Sequence, residues 1–173
     1  MMNASENTPY LSVVVTARND DHGGSLLRRM QTFLNSWIGQ SNRHGLQSEL
    51  IFVEWNPPPE RPWLREALSW PAELGSCTVR FLEVPHEMHL RYRYCDALPL
   101  YQMIAKNVGI RRARGLFVLV TNIDIVFSDE LVSYLAEGQL QNNRMYRIDR
   151  LDVSSDVPVD GTVDEQLRDA GAT

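Results

Sequence analysis

Short β-rich runs alternate with segments of helical periodicity along most of this sequence, and that alternation constrains the fold more than any other feature. The first run, Leu11 to Thr16, is rich in aliphatic and β-branched residues, which is typical of a strand buried on both faces. Strands that alternate with helices are the pattern of an α/β domain with parallel strands. We therefore expect a three-layer α/β/α sandwich with a mostly parallel central sheet.

The hydrophobic pattern also predicts where the elements lie. The expected strands cover residues 11–16, 49–55, 78–83, 116–121 and 145–149. The expected helices cover residues 26–38, 62–69 and 100–114, with a further helix after residue 128. Ser25 and Ser128 are expected to cap helices, and Gly39 to end the first one. We expect the fourth strand to be central in the sheet and residues 85–99 to form a loop.

The charge of the chain is concentrated near its C-terminal end. The net charge is −5 over 173 residues; from Leu151 onward there are six acids and one base, whereas residues 1–150 are balanced. A balanced body argues against a general nucleic-acid binder, which normally carries an excess of basic residues. We expect one binding domain over residues 1–153 and an acidic, flexible tail over residues 154–173.

The sequence pattern favours a cytoplasmic protein without a transmembrane segment. No apolar run approaches the roughly 18–20 residues that span a bilayer. The segment from Met1 to Tyr10 is too polar for the apolar core of a signal peptide. Cys77 and Cys95 are isolated in the sequence, which favours two reduced thiols over a disulfide framework or a zinc site.

Polar segments follow three of the expected strands. Ligands of parallel sheets bind beyond the carboxyl ends of the strands, so residues 16–20, 54–56 and 122–124 become candidate contacts. A carboxylate such as Glu54 at the end of an apolar strand is costly to bury without a partner, and it suits a base N–H or a ribose hydroxyl. For the first segment, the alternative is a solvated loop with local caps.

Asn122 and Asp124 form the most informative of these strand ends. Residues two apart in an extended chain point the same way, so both side chains are expected to face one ligand. Their oxygens suit a hard divalent cation, which in turn neutralises a diphosphate. The alternative, which these two residues support equally, is a strand-end turn capped by Asx side chains.

Three stretches in the second half of the chain together resemble a known family. They are Ala105-Lys106-Asn107-Val108-Gly109-Ile110, then Ala113-Arg114-Gly115, then Phe117-Val118-Leu119-Val120-Thr121-Asn122-Ile123-Asp124. Their order and spacing resemble the family 2 glycosyltransferases, whose Rossmann-like GT-A fold binds nucleotide-diphosphate sugars. The resemblance extends roughly from Leu11 to Val153.

The resemblance implies that the ends of the first two strands bind the nucleotide. Thr16, Arg18 and Asn19 are expected to line the nucleotide site. Glu54 stands where the family often places an acid that contacts the base or the ribose.

The resemblance also implies a site for the diphosphate. Lys106 and Asn107 are expected to approach the diphosphate-sugar, and Asp124, together with Asn122, to hold Mg²⁺ or Mn²⁺. Asn122 stands for the usual first acid of the metal motif and brings no charge, so metal affinity is expected to fall. Lys106 occupies the position at which the family commonly has an arginine, and a lysine cannot make the paired hydrogen bonds that a guanidinium makes to one phosphate group.

The function that the resemblance implies is transfer of a sugar from a nucleotide-diphosphate sugar to a saccharide or another hydroxyl acceptor. Family members continue into an acceptor-binding half that commonly supplies the catalytic base; the acidic tail shows no pattern of that half, so no base is assigned. The alternative is a truncated or degenerate donor-binding module without independent catalysis, which leaves a partner chain or a second copy open. A nucleotidyltransferase is a weaker alternative, because only Gly23-Gly24 represents a glycine-rich phosphate loop.

Overall fold

The computed structural model describes residues 8–150, 152 and 157–171. Within them, four parallel strands form one sheet, and helices lie against both of its faces. The prediction of an α/β sandwich with a parallel central sheet is confirmed.

Four strands make up the sheet. They are β1 (Leu11–Ala17), β2 (Ser48–Trp55), β3 (Cys77–Val84) and β4 (Phe117–Val120). Their order is β3-β2-β1-β4, and every neighbouring pair is parallel. β1 and β2 are central and buried along their whole length, which explains why most of their residues are apolar or β-branched. Two polar residues buried between them, Ser12 and Glu49, are hydrogen-bonded to each other at 2.6 Å.

Helices cover the two faces of this sheet unequally. They are α1 (Leu26–His44), α2 (Leu64–Ala67), α3 (His86–His89), α4 (Gln102–Ile110), α5 (Asp129–Ala136) and α6 (Val163–Asp169). α1, α2 and α5 contribute to the larger core on one face. α4 covers the other face, over a smaller core.

Alternate residues of β1 enter the two cores. Val13 and Val15 pack in the layer of Trp37 from α1, whereas Val14 packs in the layer of Ala105 from α4. This alternation follows from the two-residue period of a strand. Trp37 is fully buried, and burial of a side chain of this size contributes roughly 1.5–3 kcal/mol.

Gly109 allows α4 to lie directly on the sheet. A Cβ added there would be 2.4 Å from Cγ1 of Val14 and 3.1 Å from Cγ2 of Val53. A larger side chain would therefore push the helix away from the sheet. The close contact sets the height of α4 over β1 and β2, and with it the position of Lys106 one turn earlier.

β4 is an edge strand of the described sheet, so the prediction that it is central is wrong. Its described neighbour is β1, and Val118 and Val120 are 41% and 40% exposed on the face that α4 covers elsewhere. An apolar run indicates that a strand is suited to burial, but it does not indicate how many neighbours the strand has. The two exposed valines leave the sheet open at this edge.

The predicted strand at residues 145–149 is also wrong. These residues join no ladder among the described strands, and Met145 is 96% exposed. A strand needs a neighbour for its backbone N–H and C=O groups, and the alternating pattern of this segment finds none in the described part of the chain.

Both ends of α1 differ from the prediction. Ser25 has a left-handed backbone (φ 50°) and makes no side-chain cap; instead the Asp21 carboxylate accepts the Leu26 N–H at 2.9 Å. The helix continues through Gly39 and ends at Gly45, whose φ of 66° is a conformation that glycine adopts without strain.

Two further local predictions have different outcomes. The Ser128 cap of α5 is confirmed, because its hydroxyl accepts the Leu131 N–H at 3.3 Å. The segment 85–99 is not all loop, because its first turn forms α3.

The acidic C-terminal segment contains a helix where the sequence pattern predicted flexibility. Thr162 and Glu165 form a capping box at the start of α6, each accepting a bond from the other's backbone. This helix lies within the described residues 157–171, whereas residues 154–156 and 172–173 of the predicted tail lie outside the described residues.

α6 packs against α1, and the two helices contact each other closely at Gly39 and Val163. The Val163 side chain occupies the space that a Cβ of Gly39 would need. Beside it, the Asn35 side chain donates to the Val159 carbonyl at 2.9 Å. One glycine and one amide therefore dock a segment that has few apolar residues of its own.

Two findings bear on the expected compartment. Cys77 and Cys95 are free thiols, as predicted, and Cys77 is buried. Among the described helices, none combines the length and the apolar character needed to cross a membrane. The cytoplasmic location stays a prediction.

Gly39→Ala tests the docking of α6. A Cβ at residue 39 would lie 2.4 Å from Cγ2 of Val163, so we expect the free energy of unfolding to fall by about 1–3 kcal/mol. With α6 undocked, the variant would instead gain up to about 1 kcal/mol, because alanine is the better helix former. Urea unfolding of Gly39→Ala, Val163→Ala and the double variant measures the coupling, and the double variant should be more stable than the sum of the single changes. Additive changes would contradict the docked position.

Candidate functional site

The order of the strands creates a topological switch point between β1 and β4. The chain proceeds from β1 outward to β2 and β3, and then returns to pair β4 with the other edge of β1. In sheets of this kind, ligands bind beyond the carboxyl ends of the strands at such a reversal. The loop that follows β1 and the residues that follow β4 meet here.

Arg29 of α1 and Asp124 after β4 form an ion pair across this switch point. Nη1 of Arg29 donates to Oδ2 of Asp124 at 2.6 Å. Its Nη2 donates to the His22 carbonyl at 2.6 Å, and its Nε donates to the Gly24 carbonyl at 3.1 Å. A partly exposed ion pair alone contributes at most about 1 kcal/mol. The two loop carbonyls, however, hold the guanidinium in place, so Arg29 ties the loop after β1 to the end of β4.

The loop that Arg29 holds has an unusual backbone. Asp21, Gly23, Gly24 and Ser25 all have φ values between 50° and 75°. A Cβ at Gly23 would lie 3.1 Å from Nη2 of Arg29, so the glycine leaves room for the guanidinium. The absence of a side chain at Gly23 thus allows the guanidinium of Arg29 to lie against this loop.

Lys106 of α4 reaches the same strand end. Its Nζ donates to Oδ1 of Asn122 at 2.8 Å. Burial lowers the pKa of this ammonium, and the negative charge of Asp124 opposes the shift. Lys106 is the only lysine in the chain, because all the other basic residues of the Lys and Arg type are arginines.

A cleft of about 750 Å³ lies beside the end of β4. Lys106, Asn122 and Asp124 contribute to its lining, and residues 145–150 form another part of it. The charged groups of the lining are Lys106, Arg147, Arg150, Asp124 and Asp149. They carry one net positive charge in a chain whose net charge is −5. The lining of the cleft is therefore positive on balance, which suits an anion.

The residues at this strand end do not fit a resident divalent cation. Asn122 Oδ1 accepts an ammonium, and Asp124 Oδ2 accepts a guanidinium. In the described part of the chain, no group of three or more His, Cys, Asp or Glu side chains is arranged to hold a metal ion. Mg²⁺ and Mn²⁺ prefer several oxygen ligands, carboxylates among them. The expected metal stays a prediction, and its binding at Asp124 would require that Arg29 be displaced.

Two of the expected nucleotide contacts are buried and bonded within the protein. Thr16 Oγ1 donates to the Val53 carbonyl at 3.0 Å. Glu54 is 1% exposed, and its two oxygens accept the Leu64 N–H at 3.0 and 3.1 Å, which holds α2 at the end of β2. A ligand contact at either residue would require these bonds to open, so their nucleotide-binding roles stay predictions.

Arg18 and Asn19 join the ends of β1 and β2. Arg18 donates through Nε to the Asn56 carbonyl at 2.7 Å and through Nη1 to Asp20 at 3.0 Å. Asn19 is buried, and its Nδ2 donates to the Pro62 carbonyl at 2.8 Å, while its Oδ1 has no partner among the described residues. Both side chains thus hold the loops together around the strand ends.

The structure brings three of the expected site residues to one cleft and leaves the others apart from it. Lys106, Asn122 and Asp124 line the cleft. Asn107 is exposed on α4 and does not contribute to the described lining. The residues at the ends of β1 and β2 make a hydrogen-bonded group of their own.

An aromatic cluster fills the space on the other side of the β2 end. Trp55 Nε1 donates to His89 Nδ1 at 2.9 Å, and His89 Nε2 lies 3.0 Å from the Cys95 carbonyl. An indole N–H only donates and a carbonyl only accepts, so His89 carries its proton on Nε2. Tyr92 and Tyr101 pack on the same indole. The protein's own rings occupy much of this region, which keeps a cavity of about 320 Å³ lined by Trp55, Tyr92 and the end of β3. The cleft beside β4 is the larger of the two, at about 750 Å³.

Arg29 is the candidate that the sequence pattern did not reveal. It lies near the start of α1 beside Arg28, where the positive end of the helix dipole disfavours cations. Two adjacent arginines in the first turn of a helix are therefore unfavourable for the helix itself, and this pattern could have marked Arg29 as a candidate site residue. The partner of Arg29 was not predictable, because Asp124 is 95 residues away along the chain.

Comparison with known proteins does not assign a family. No protein-family model matches the chain, and a search of curated proteins gives no significant match. The resemblance to glycosyltransferases therefore rests on the sequence motifs alone.

Glu54 predicts a pH-dependent stability. Burial raises its pKa from the ordinary value of 4.5 to about 7; the Leu64 N–H opposes the shift and the charge of Glu83 adds to it. An acid with a higher pKa in the folded state binds more protons there than in the unfolded chain. Its contribution to the free energy of unfolding therefore falls as the pH rises from about 4.5 to about 7, and is constant above that range.

Glu54→Gln should remove this fall, because a neutral amide oxygen still accepts the Leu64 N–H. Between about pH 4.5 and pH 8, we expect the free energy of unfolding of the variant to rise by roughly 1–3 kcal/mol relative to that of wild type. Urea unfolding across this range measures the difference. Glu73→Gln, which neutralises an exposed acid, is the matched control and should leave the wild-type curve unchanged. If the free energy of unfolding changes with pH in the same way for wild type and Glu54→Gln, Glu54 is not the source of the pH dependence.

Proposed function

We propose that the cleft beside β4 binds a nucleotide-diphosphate sugar and that the chain is a glycosyltransferase domain, which transfers the sugar to an acceptor hydroxyl. The observation that carries this proposal is the meeting of Lys106, Asn122, Asp124 and Arg29 at the switch point of a parallel sheet. These polar groups come from three separate parts of the chain. Lys106, Asn122 and Asp124 line the cleft, and Arg29 contacts Asp124.

The size and charge of the cleft support this ligand class. Its volume of about 750 Å³ lies within the range of about 300–1,000 Å³ that is typical of small-molecule sites. The net positive charge of its lining suits a diphosphate. The oxygens of Asn122 and Asp124 suit the hydroxyl groups of a ribose or a sugar.

Sugar transfer requires positive charge at the departing diphosphate. The acceptor oxygen forms a bond to the anomeric carbon, the bond from that carbon to the diphosphate oxygen breaks, and the hydroxyl proton passes to a base. A fixed cation such as Lys106 stabilises the charge that develops on the leaving oxygen. No base is assigned, because Glu54 is covered by α2 and Asp124 is held by Arg29.

A donor-binding module without its own catalysis is the second candidate. The observation that favours it is the ion pair of Asp124 at 2.6 Å, which keeps that carboxylate from taking the proton of an acceptor. In this case a partner chain or a second copy would supply the acceptor site and the base.

Thermal unfolding with added nucleotides tests donor binding. We expect UDP, GDP, ADP or dTDP, or one of the corresponding sugars, to raise Tm by about 5–10 °C at a concentration about a hundredfold above its Kd. Each is measured in EDTA and in Mn²⁺, and the matching nucleosides without phosphate are the controls. If none of the diphosphates raises Tm in either buffer, the proposed donor site is wrong.

Donor turnover separates the two candidates. The nucleotide sugar that raises Tm is incubated with simple sugars as acceptors, and the release of nucleoside diphosphate is followed by chromatography. Release above the background without protein supports the enzyme. Binding without release supports the module.

A further inference from the structure

We infer that Lys106 and Arg29 supply the positive charge for the diphosphate, so that a nucleoside diphosphate binds at this site without a divalent cation. The inference rests on the proposed function, because it concerns how the same cleft takes its ligand. It assigns to two side chains of α1 and α4 the role that the sequence resemblance gives to Mg²⁺ or Mn²⁺.

The charge balance at the end of β4 is the first argument. Lys106 and Arg29 each bring a positive charge, Asp124 brings one negative charge, and Asn122 brings none, so the group is net positive. Such a group repels a divalent cation and attracts a diphosphate. A metal site has the opposite balance, because carboxylates exceed cations around the metal position.

The free hydrogen-bonding capacity of the two cations is the second argument. A guanidinium has five N–H groups and an ammonium has three. Within the described residues, Arg29 bonds to Asp124, His22 and Gly24, and Lys106 bonds to Asn122. These bonds leave two N–H groups on each cation for phosphate oxygens. Charge-assisted bonds of this kind are among the strongest that proteins make.

The fixed position of both cations is the third argument. Two loop carbonyls hold the guanidinium of Arg29, and the close packing of Gly109 on the sheet sets the height of Lys106. A ligand therefore does not have to immobilise long, free side chains, which would reduce its affinity. Phosphate oxygens can replace Asn122 and Asp124 as the acceptors.

Titration calorimetry with pyrophosphate in EDTA is the first test, because pyrophosphate has the chemistry that all nucleoside diphosphates share. Wild type should bind it, and Lys106→Gln and Arg29→Gln should each weaken binding at least about tenfold. The matched control is Arg111→Gln, which removes the same charge from the exposed end of α4 and should change Kd less than about twofold. Thermal unfolding of each variant checks that it is folded.

Asp124→Asn gives opposite results for a cationic site and a metal site. In a cationic site, the change removes the negative charge that competes with phosphate, so pyrophosphate and UDP, GDP, ADP or dTDP should bind several-fold more tightly in EDTA. In a metal site, the change removes the one charged ligand, so the nucleotides should lose their Mn²⁺-dependent binding.

Chemical labelling of Lys106 locates the bound diphosphate independently of the variants. Lys106 is the only lysine, so the reaction of its side chain with an amine reagent is read directly by peptide mass spectrometry. Pyrophosphate in EDTA should slow this labelling at least about fivefold at a concentration well above its Kd. Labelling of the α-amino group of the chain is the internal control and should not change.

The outcomes separate this inference from the proposed function. Binding in EDTA that is weakened by Lys106→Gln and strengthened by Asp124→Asn supports both. Nucleotide binding that needs Mn²⁺ and is lost in Asp124→Asn overturns the cationic site and leaves donor binding in place. Unchanged Lys106 labelling at saturating pyrophosphate also overturns the cationic site. If neither pyrophosphate nor any nucleotide binds under either condition, both are wrong.

Discussion

β1 (Leu11–Ala17) is packed on both faces and paired on both edges, and the arrangement of the molecule depends on that strand. Its alternating valines enter two separate cores, one beneath α1 and the other beneath α4. Its edges hold β2 and β4 in parallel register. A strand with neighbours on every side is mostly apolar, and the polar side chains that it does bury, Ser12 and Thr16, are hydrogen-bonded to β2. The switch point between its two partners results from this pairing, and the candidate site lies there.

The charges at the switch point come from segments that are distant in sequence. Arg29 belongs to α1, Lys106 to α4, and Asp124 to the turn after β4. Arg29 is held by Asp124, and Lys106 is held by Asn122, at the end of the same strand. The negative charge of Asp124, which the sequence resemblance assigns to a metal, is thus neutralised by an arginine of the chain itself. This arrangement accounts for one feature of the sequence, the glycine at residue 23, which leaves room for the guanidinium of Arg29.

Local patterns predicted the strands and one of the two helix caps, but not the ends of α1. The four observed strands and the Ser128 cap follow from residue type and period. The central position of β4 and the strand at residues 145–149 were wrong, because the number of neighbours of a strand is not encoded in its own residues. The sequence did not predict α6 within the acidic tail, because this helix docks at a gap beside Gly39, more than 120 residues earlier; the flexibility of the tail stays a prediction.

The sequence by itself determined the fold class, and it located the end of β4 as a polar site with Lys106, Asn122 and Asp124 as candidates. It did so because hydrophobic period and strand-end polarity are properties of short segments. Only the tertiary structure decided what these groups contact: Arg29 at Asp124, Lys106 at Asn122, and Glu54 beneath α2. The physical reason is that an ion pair or a hydrogen bond depends on distance in space, and the packing of α1 and α4 on the sheet sets that distance.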